Sequence, residues 1–315
     1  MAALRIVFCG TPEFAVPSLR LLAARPEFSI EAVITQPDRP KGRGQQVGNS
    51  PVKDLAVELG LQIFQPQKIR SESSQEFLQR IAPDAVVIIA YGQIIPATLL
   101  TIPRLGWLNV HGSLLPRYRG AAPIQWAIAN GERVTGVTTM QINAGMDTGP
   151  MLLRREAAIG PDETSPELST RMSADGAELI AESLVRFDRG EISPIPQDEQ
   201  GVSYAPILKK EDGQIDWTRP AQRIYDHMRG FTPWPGSYST FRGQTCNLWG
   251  RPEARGAAGT SVMPGEIIPS SKEIYVVCGE GTCLRLESIQ VQGRKKISAR
   301  EFANGARITS SERFI

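Results

Sequence analysis

The sequence predicts an α/β architecture: a doubly wound sheet, then a small β-barrel. Three observations lead there. Short apolar runs such as "LRIVFCG" and "DAVVIIAYG" end in glycine and alternate with segments of helical spacing. Strands buried on both faces look like this when crossover helices separate them. The 315 residues exceed one small core and allow two domains. Beyond residue 206 the texture changes to short β-like pieces divided by glycine turns.

The elements follow in order. Leu4 to Gly10 reads as a buried strand. A helix follows, with Thr11 as cap, Pro12 in the first turn and Leu19, Leu22 and Ala23 at helical spacing. Ile30 to Asp38 is a second strand, and Ser50 to Gly60 a helix ending at glycine. "LQIFQP" is short and extended, and "SSQEFLQRIAP" is a helix stopped by Pro83. Asp84 to Gly92 is the most apolar strand, and Gly106 to Gly112 another. "AAPIQWAIANG" reads as a helix and "GVTTMQIN" as a strand. Ser165 to Gly190 is a long helix closing a first domain over residues 1–190. Residues 191–206, proline-rich and polar, form a linker. The second domain, 207–315, opens with a helix in "TRPAQRIYDHMRGF". Five strand-like pieces follow: "GSYSTF", "QTCNLWG", "EIIPS", "EIYVVCG" and "TCLRLESIQVQG".

Charge is uneven. Residues 1–205 carry 19 Lys+Arg against 22 Asp+Glu, and residues 206–315 carry 16 against 11. The basic second domain points to an anionic partner, or else to an ordinary solvated surface. Thr35 to Lys53 has four basic residues, one Asp and no apolar periodicity, and reads as a mobile basic loop. Its glycines match neither G-x-G-x-x-G nor G-x-x-x-x-G-K-[ST], and "CGTPEFA" is no dinucleotide fingerprint, so NAD and ATP are excluded. Cys9, Cys246, Cys278 and Cys283 form no C-x-x-C and stand apart from histidine, so no metal site or disulfide framework is expected. The chain starts on a strand without a signal or transit pattern, and its most apolar window is broken by Gly92, Gln93 and Pro96. The expected setting is the reducing cytoplasm, without a membrane, and nothing demands more than a monomer.

One of only two histidines lies in "NVHGSLLPRYRGAAPIQW". Asn109 and His111, two apart at a strand's carboxyl end, share one face. Ligands of open α/β sheets bind beyond those ends. An amide N–H beside an imidazole suits stabilising an oxyanion or moving a proton. Asp147, between Gly145 and Gly149 in "INAGMDTGPM", can reach the imidazole from the same sheet edge. No nucleophile stands nearby, which points to transfer without a covalent enzyme intermediate. Taken singly, each residue has a plainer explanation: a core histidine satisfied by backbone, a turn aspartate, a turn or cap asparagine.

"NVHGSLLPRYRGAAPIQW" and "NAGMDTGP" together resemble the folate-dependent formyltransferases. The basic loop, "MDTGPM" and "FTPWPG" favour the branch acting on charged initiator tRNA, and the likeness runs along almost the whole chain. It implies a Rossmann-like formyltransferase domain, an OB-like tRNA-binding domain, and 10-formyltetrahydrofolate as donor. The acceptor would be the α-amino group of methionyl initiator tRNA. Asn109 and His111 would stabilise the oxyanion, with Asp147 orienting and charging His111. Ser113, Leu114, Leu115 and Pro116 would shape the folate cleft. Lys41 and Arg43 would meet the acceptor end, and Lys209, Lys210, Arg294, Lys295 and Lys296 its phosphates. A sugar-amine N-formyltransferase, or another user of the same donor, is the nearest alternative.

Overall fold

The computed structural model describes residues 2–41, 46–253, 263–270, 273–309 and 312–315. The chain folds as two compact units. The first comprises Met1–Pro123, Val134–Ala158 and Leu168–Pro206; the second comprises Ile124–Arg133, Ile159–Glu167 and Ile207–Ile315.

In chain order the elements up to residue 188 begin with β1 (Leu4–Gly10), α1 (Val16–Ala24) and β2 (Phe28–Ile34). Next come β3 (Arg39–Lys41), β4 (Gln46–Gly48), α2 (Pro51–Glu58), β5 (Ile63–Phe64) and α3 (Glu72–Ile81). They continue with β6 (Ala85–Ile89), α4 (Ala97–Leu100), β7 (Trp107–His111), α5 (Pro123–Ala129), β8 (Val134–Gln141), β9 (Met151–Ala158) and α6 (Ser165–Asp188). Seven strands make one sheet in the order β5-β2-β1-β6-β7-β8-β9. The first five pair in parallel, whereas the β7–β8 and β8–β9 pairs are antiparallel. Strand order reverses between β1 and β6, the topological switch point at which open α/β sheets form their crevice.

The apolar runs behave as a two-sided burial requires. All five residues of β6 are buried, and in β1 only Arg5 is exposed. Val7, Cys9, Ala32, Ile34, Val86, Ile88 and Trp107 pack with Phe77 and Leu78 of α3 and Leu99 of α4 on one face. On the other face α6 is tied to β8 by the buried Thr139–Ser183 hydroxyl pair, 2.7 Å apart. Helices on both faces of a largely parallel sheet make the doubly wound fold. Ser50 and Ser71 cap α2 and α3 by accepting backbone N–H bonds from Lys53 and Ser74.

Several features depart from the sequence reading. The described part of the basic loop contains regular structure: β3 and β4 form an antiparallel ribbon, and Asp38 at its base pairs with Lys53. The tip, residues 42–45, lies outside the described residues. β9 has no counterpart among the expected strands, and pairs with β8 as the sheet's edge. Residues 191–206, read as a linker, belong to the first unit and hydrogen-bond to it: Ile195 pairs with Met151, and Arg119 with Ser203 and Ala205.

The second unit holds α7 (Ala221–Gly230), β10 (Tyr238–Phe241), β11 (Gln244–Glu253), β12 (Ile267–Pro269), β13 (Ile274–Val277), β14 (Cys283–Val291), β15 (Ile297–Ser298) and α8 (Ala299–Ala306). Its strands pair antiparallel in the order β10-β11-β14-β13-β12, with β15 beside β14. This is the OB-like half-barrel expected. Trp217, Ile224, Met228, Phe241, Leu248, Val276, Ile289, Phe302 and Phe314 are among its buried core. The structure adds α8 as a further element, opened by a capping box between Ser298 and Glu301. Among the described residues no helix is long and apolar enough to cross a membrane.

Candidate active site

β7 brings the two central side chains to the sheet edge. Trp107, Asn109 and His111 alternate onto one face, so an apolar strand becomes polar as it leaves the core. Asn109 lies beside Ile88 of β6 and Met140 of β8. It is half-buried, and its amide has no hydrogen-bond partner among the described residues. His111 is buried. Its Nε2 lies 2.9 Å from the carbonyl oxygen of Tyr118. A carbonyl only accepts, so Nε2 carries a proton and donates it. Nδ1 is therefore the nitrogen free to gain and lose a proton. It stands 3.7 Å from Asp147 Oδ2, beyond a direct hydrogen bond but close enough for an ion pair once protonated.

Asp147 sits in the turn between β8 and β9. Asn143 Oδ1 organises that turn by accepting from the Gly145 N–H at 3.0 Å and the Thr148 hydroxyl at 2.8 Å. Gly149 is required there, because a Cβ would lie 1.8 Å from the Gln141 carbonyl oxygen. Asp147 itself adopts a left-handed backbone, φ 52°. Its Oδ2 accepts the Gly120 N–H at 2.8 Å. Gly120 also has to be glycine: φ is 123°, and a Cβ would lie 2.5 Å from the Ala205 carbonyl oxygen. Asn109, His111 and Asp147 are thus gathered at the carboxyl edge of the sheet, in the first unit.

The loop after β7 is shaped from within. Ser113 and Leu115 are buried. Ser113 Oγ donates to the Arg117 carbonyl at 2.6 Å, and Thr138 Oγ1 donates to the Ser113 carbonyl while accepting from the Leu115 N–H. These two residues fix the loop. Leu114 and Pro116 are half-buried, and Leu114 borders a cavity of about 460 Å³ with Met151, Leu153, Arg154 and Ile195. Four contributors escaped the sequence reading: the Tyr118 carbonyl, the Gly120 N–H, and the side chains of Arg119 and Gln197. "RYRG" hinted at the first three. Nothing in "PIPQDEQ" marked Gln197.

The basic residues divide. Lys41 contributes its backbone to β3, and Arg43 lies outside the described residues. Lys209, Lys210, Arg294, Lys295 and Lys296 are all exposed in the second unit. The Lys296 ammonium stands 3.8 Å over the Trp249 ring, a cation–π contact. Arg294 and Lys295 line a cavity of about 290 Å³ with Arg242, Gln244 and Glu301. The second histidine, His227, is a structural one. Its Nε2 donates to the Asp212 carbonyl at 2.7 Å, Nδ1 accepts from Ser237 Oγ at 3.0 Å, and burial lowers its pKa.

Comparison with known proteins gives this site its family. A model of formyl transferases matches residues 4–184, and one of the formyl transferase C-terminal domain matches 207–307. The methionyl-tRNA formyltransferase of Koribacter versatilis is 50% identical over 309 residues, covering 98% of this chain and 97% of the relative. The chain belongs to the methionyl-tRNA formyltransferase family. A second member, from Geobacter metallireducens, is also 50% identical over 309 residues, with the same coverage of both chains. Among solved structures, the sugar 3N-formyl transferase WlaRD, crystallised with dTDP and 5-N-formyl-THF, aligns with a TM-score of 0.67 at 18% identity. That alignment spans 93% of this chain and 99% of WlaRD. HypX from Aquifex aeolicus, in complex with tetrahydrofolic acid, gives 0.61 at 20% identity over 96% of this chain and 47% of its own. Such distant likenesses establish a shared fold. Methionyl-tRNA formyltransferases are formyl-transferring enzymes, and the site lies in the region matched by the transferase model.

Proposed function

We propose that this protein transfers the formyl group of 10-formyltetrahydrofolate to the α-amino group of methionine on initiator tRNA. One observation carries the reading: Asn109, His111 and Asp147 converge at the sheet edge, the Asn109 amide unpartnered among the described residues and His111 Nδ1 facing a carboxylate. Half of all residues shared with named family members supports it.

The donor supplies a formyl carbonyl; the rest falls to the chain. Asn109 offers its N–H to the carbonyl oxygen as negative charge builds there during attack by the amine. His111 Nδ1 takes up the amine's proton and, as an imidazolium, adds positive charge beside the oxyanion. Asp147 stabilises that imidazolium from 3.7 Å and holds the ring's orientation. The same nitrogen returns the proton to the departing folate nitrogen. Ser113 and Leu115 set the shape of the folate cleft, and Leu114 and Pro116 give it surface. Lys41 and Arg43 act at the acceptor end, and Lys209, Lys210, Arg294, Lys295 and Lys296 against backbone phosphates.

Competition between acceptors tests this. With 10-formyltetrahydrofolate as donor, charged initiator tRNA is expected to be formylated, and a nucleotide-linked amino-sugar left unmodified. Preference for the amino-sugar would replace this acceptor with the other.

A further inference from the structure

The tripeptide Tyr118-Arg119-Gly120 reaches the site three times, twice directly and once through Gln197. The Tyr118 carbonyl fixes His111 Nε2, and the Gly120 N–H fixes Asp147 Oδ2. Between them, Arg119 turns inward, 2% exposed, and its Nε donates to Gln197 Oε1 at 3.0 Å. Gln197 Nε2 then donates to the carbonyls of Asp147 and Gly149, each at 2.8 Å. Both halves of one amide are thus used. Residues 203–205 hold the tripeptide from its other side: Tyr118 N–H donates to Ser203 Oγ, Arg119 N–H to the Ser203 carbonyl, and Ala205 N–H to the Arg119 carbonyl.

Asp147 needs this support. Its backbone is left-handed, φ 52°, a conformation uncommon outside glycine and held best where the surroundings support it. Gln197 bonds the carbonyl of Asp147 itself and that of Gly149, two residues on.

We infer that Gln197, braced by buried Arg119, is a positioning residue for the transfer: its amide holds the Asp147 backbone so that the carboxylate meets His111. The inference rests on the roles given above to His111 and Asp147.

Gln197→Glu tests it. The variant keeps an acceptor for Arg119 Nε but puts a carboxylate oxygen where the two N–H donors were. We expect kcat to fall roughly 10–100-fold, the scale of a displacement of about 1 Å at a reacting centre. Both KM values should hold, since neither substrate is touched. Arg119→Lys, which loses the planar Nε donor, should reproduce the split if Gln197→Glu fails to fold. In an Asp147→Asn background, Gln197→Glu should cost nothing further, because its effect passes through that carboxylate. Unchanged kcat in both single variants, or losses that multiply in the double variant, would overturn the inference. An inactive wild type, or a fully active Asp147→Asn, would instead sink the reading beneath it.

Discussion

Asn109 and His111 share a strand face but differ in what holds them. The Asn109 amide makes no hydrogen bond among the described residues, so its side chain is free for substrate and contributes little to folding. Asn109→Ala should therefore slow single-turnover transfer by ~10²–10³, the usual effect of losing one oxyanion donor, at an unchanged melting temperature. A loss confined to stability would remove Asn109 from the chemistry. His111 is committed at Nε2 and open at Nδ1, and this difference gives it both a fixed position and a proton site. His227 shows the contrasting case. Burial lowers its pKa from 6.5, so the fold prefers the neutral ring. Its stabilisation is complete above the unfolded value and is lost as pH falls through the lower folded one. Urea unfolding followed from pH 7 downward should show this loss in wild type and less of it in His227→Gln. Equal slopes would contradict the assignment.

The elements that carry the site were partly written in the sequence. Continuous apolar runs marked β1 and β6, because burial on both faces leaves no other pattern. The carboxyl end of β7 was visible as the point where "WL" gives way to Asn109 and His111. β9 was not visible. "MLLRREAA" is composed mostly of strong helix formers, and pairing with β8 overrides that propensity. With β9 hidden, the hairpin that gives Asp147 its place was hidden too. Gln197 was illegible for another reason: its role depends on a contact with Arg119, 78 positions away. α8 did carry a local signal, the Ser298-to-Glu301 capping box. α7 illustrates an element fixed by charge. Arg229, buried, donates to Asp226 Oδ1 at 2.8 and 3.0 Å and to the carbonyls of Gly160 and Glu163 at 3.1 and 2.8 Å. Arg229→Ala leaves Asp226 buried without its cation, and should destabilise the chain by about 3–5 kcal/mol. Chemical denaturation checks this, and a change under about 1 kcal/mol would show that water replaces the pair.

At the scale of the whole molecule, the proposed reaction assigns the two unlike units different tasks. The first carries the polar cluster, while the C-terminal sequence concentrates positive charge, with 16 Lys+Arg against 11 Asp+Glu over residues 206–315. A tRNA stem is a phosphate-rich rod, and neutralising its phosphates releases counterions. Lys295→Ala with Lys296→Ala should weaken charged-tRNA binding and reduce its salt dependence by about one unit per lost contact. Folate affinity should be unaffected, and an unchanged salt slope would place the tRNA elsewhere. In the proposed mechanism His111 drives formyl transfer to a tRNA-borne amine. The most direct test is single-turnover transfer from 10-formyltetrahydrofolate to charged initiator tRNA, wild type beside His111→Ala. The wild type should formylate the tRNA, and the variant should be slower by ~10²–10³ or more. A variant as fast as wild type, or a wild type that transfers nothing, would contradict that mechanism.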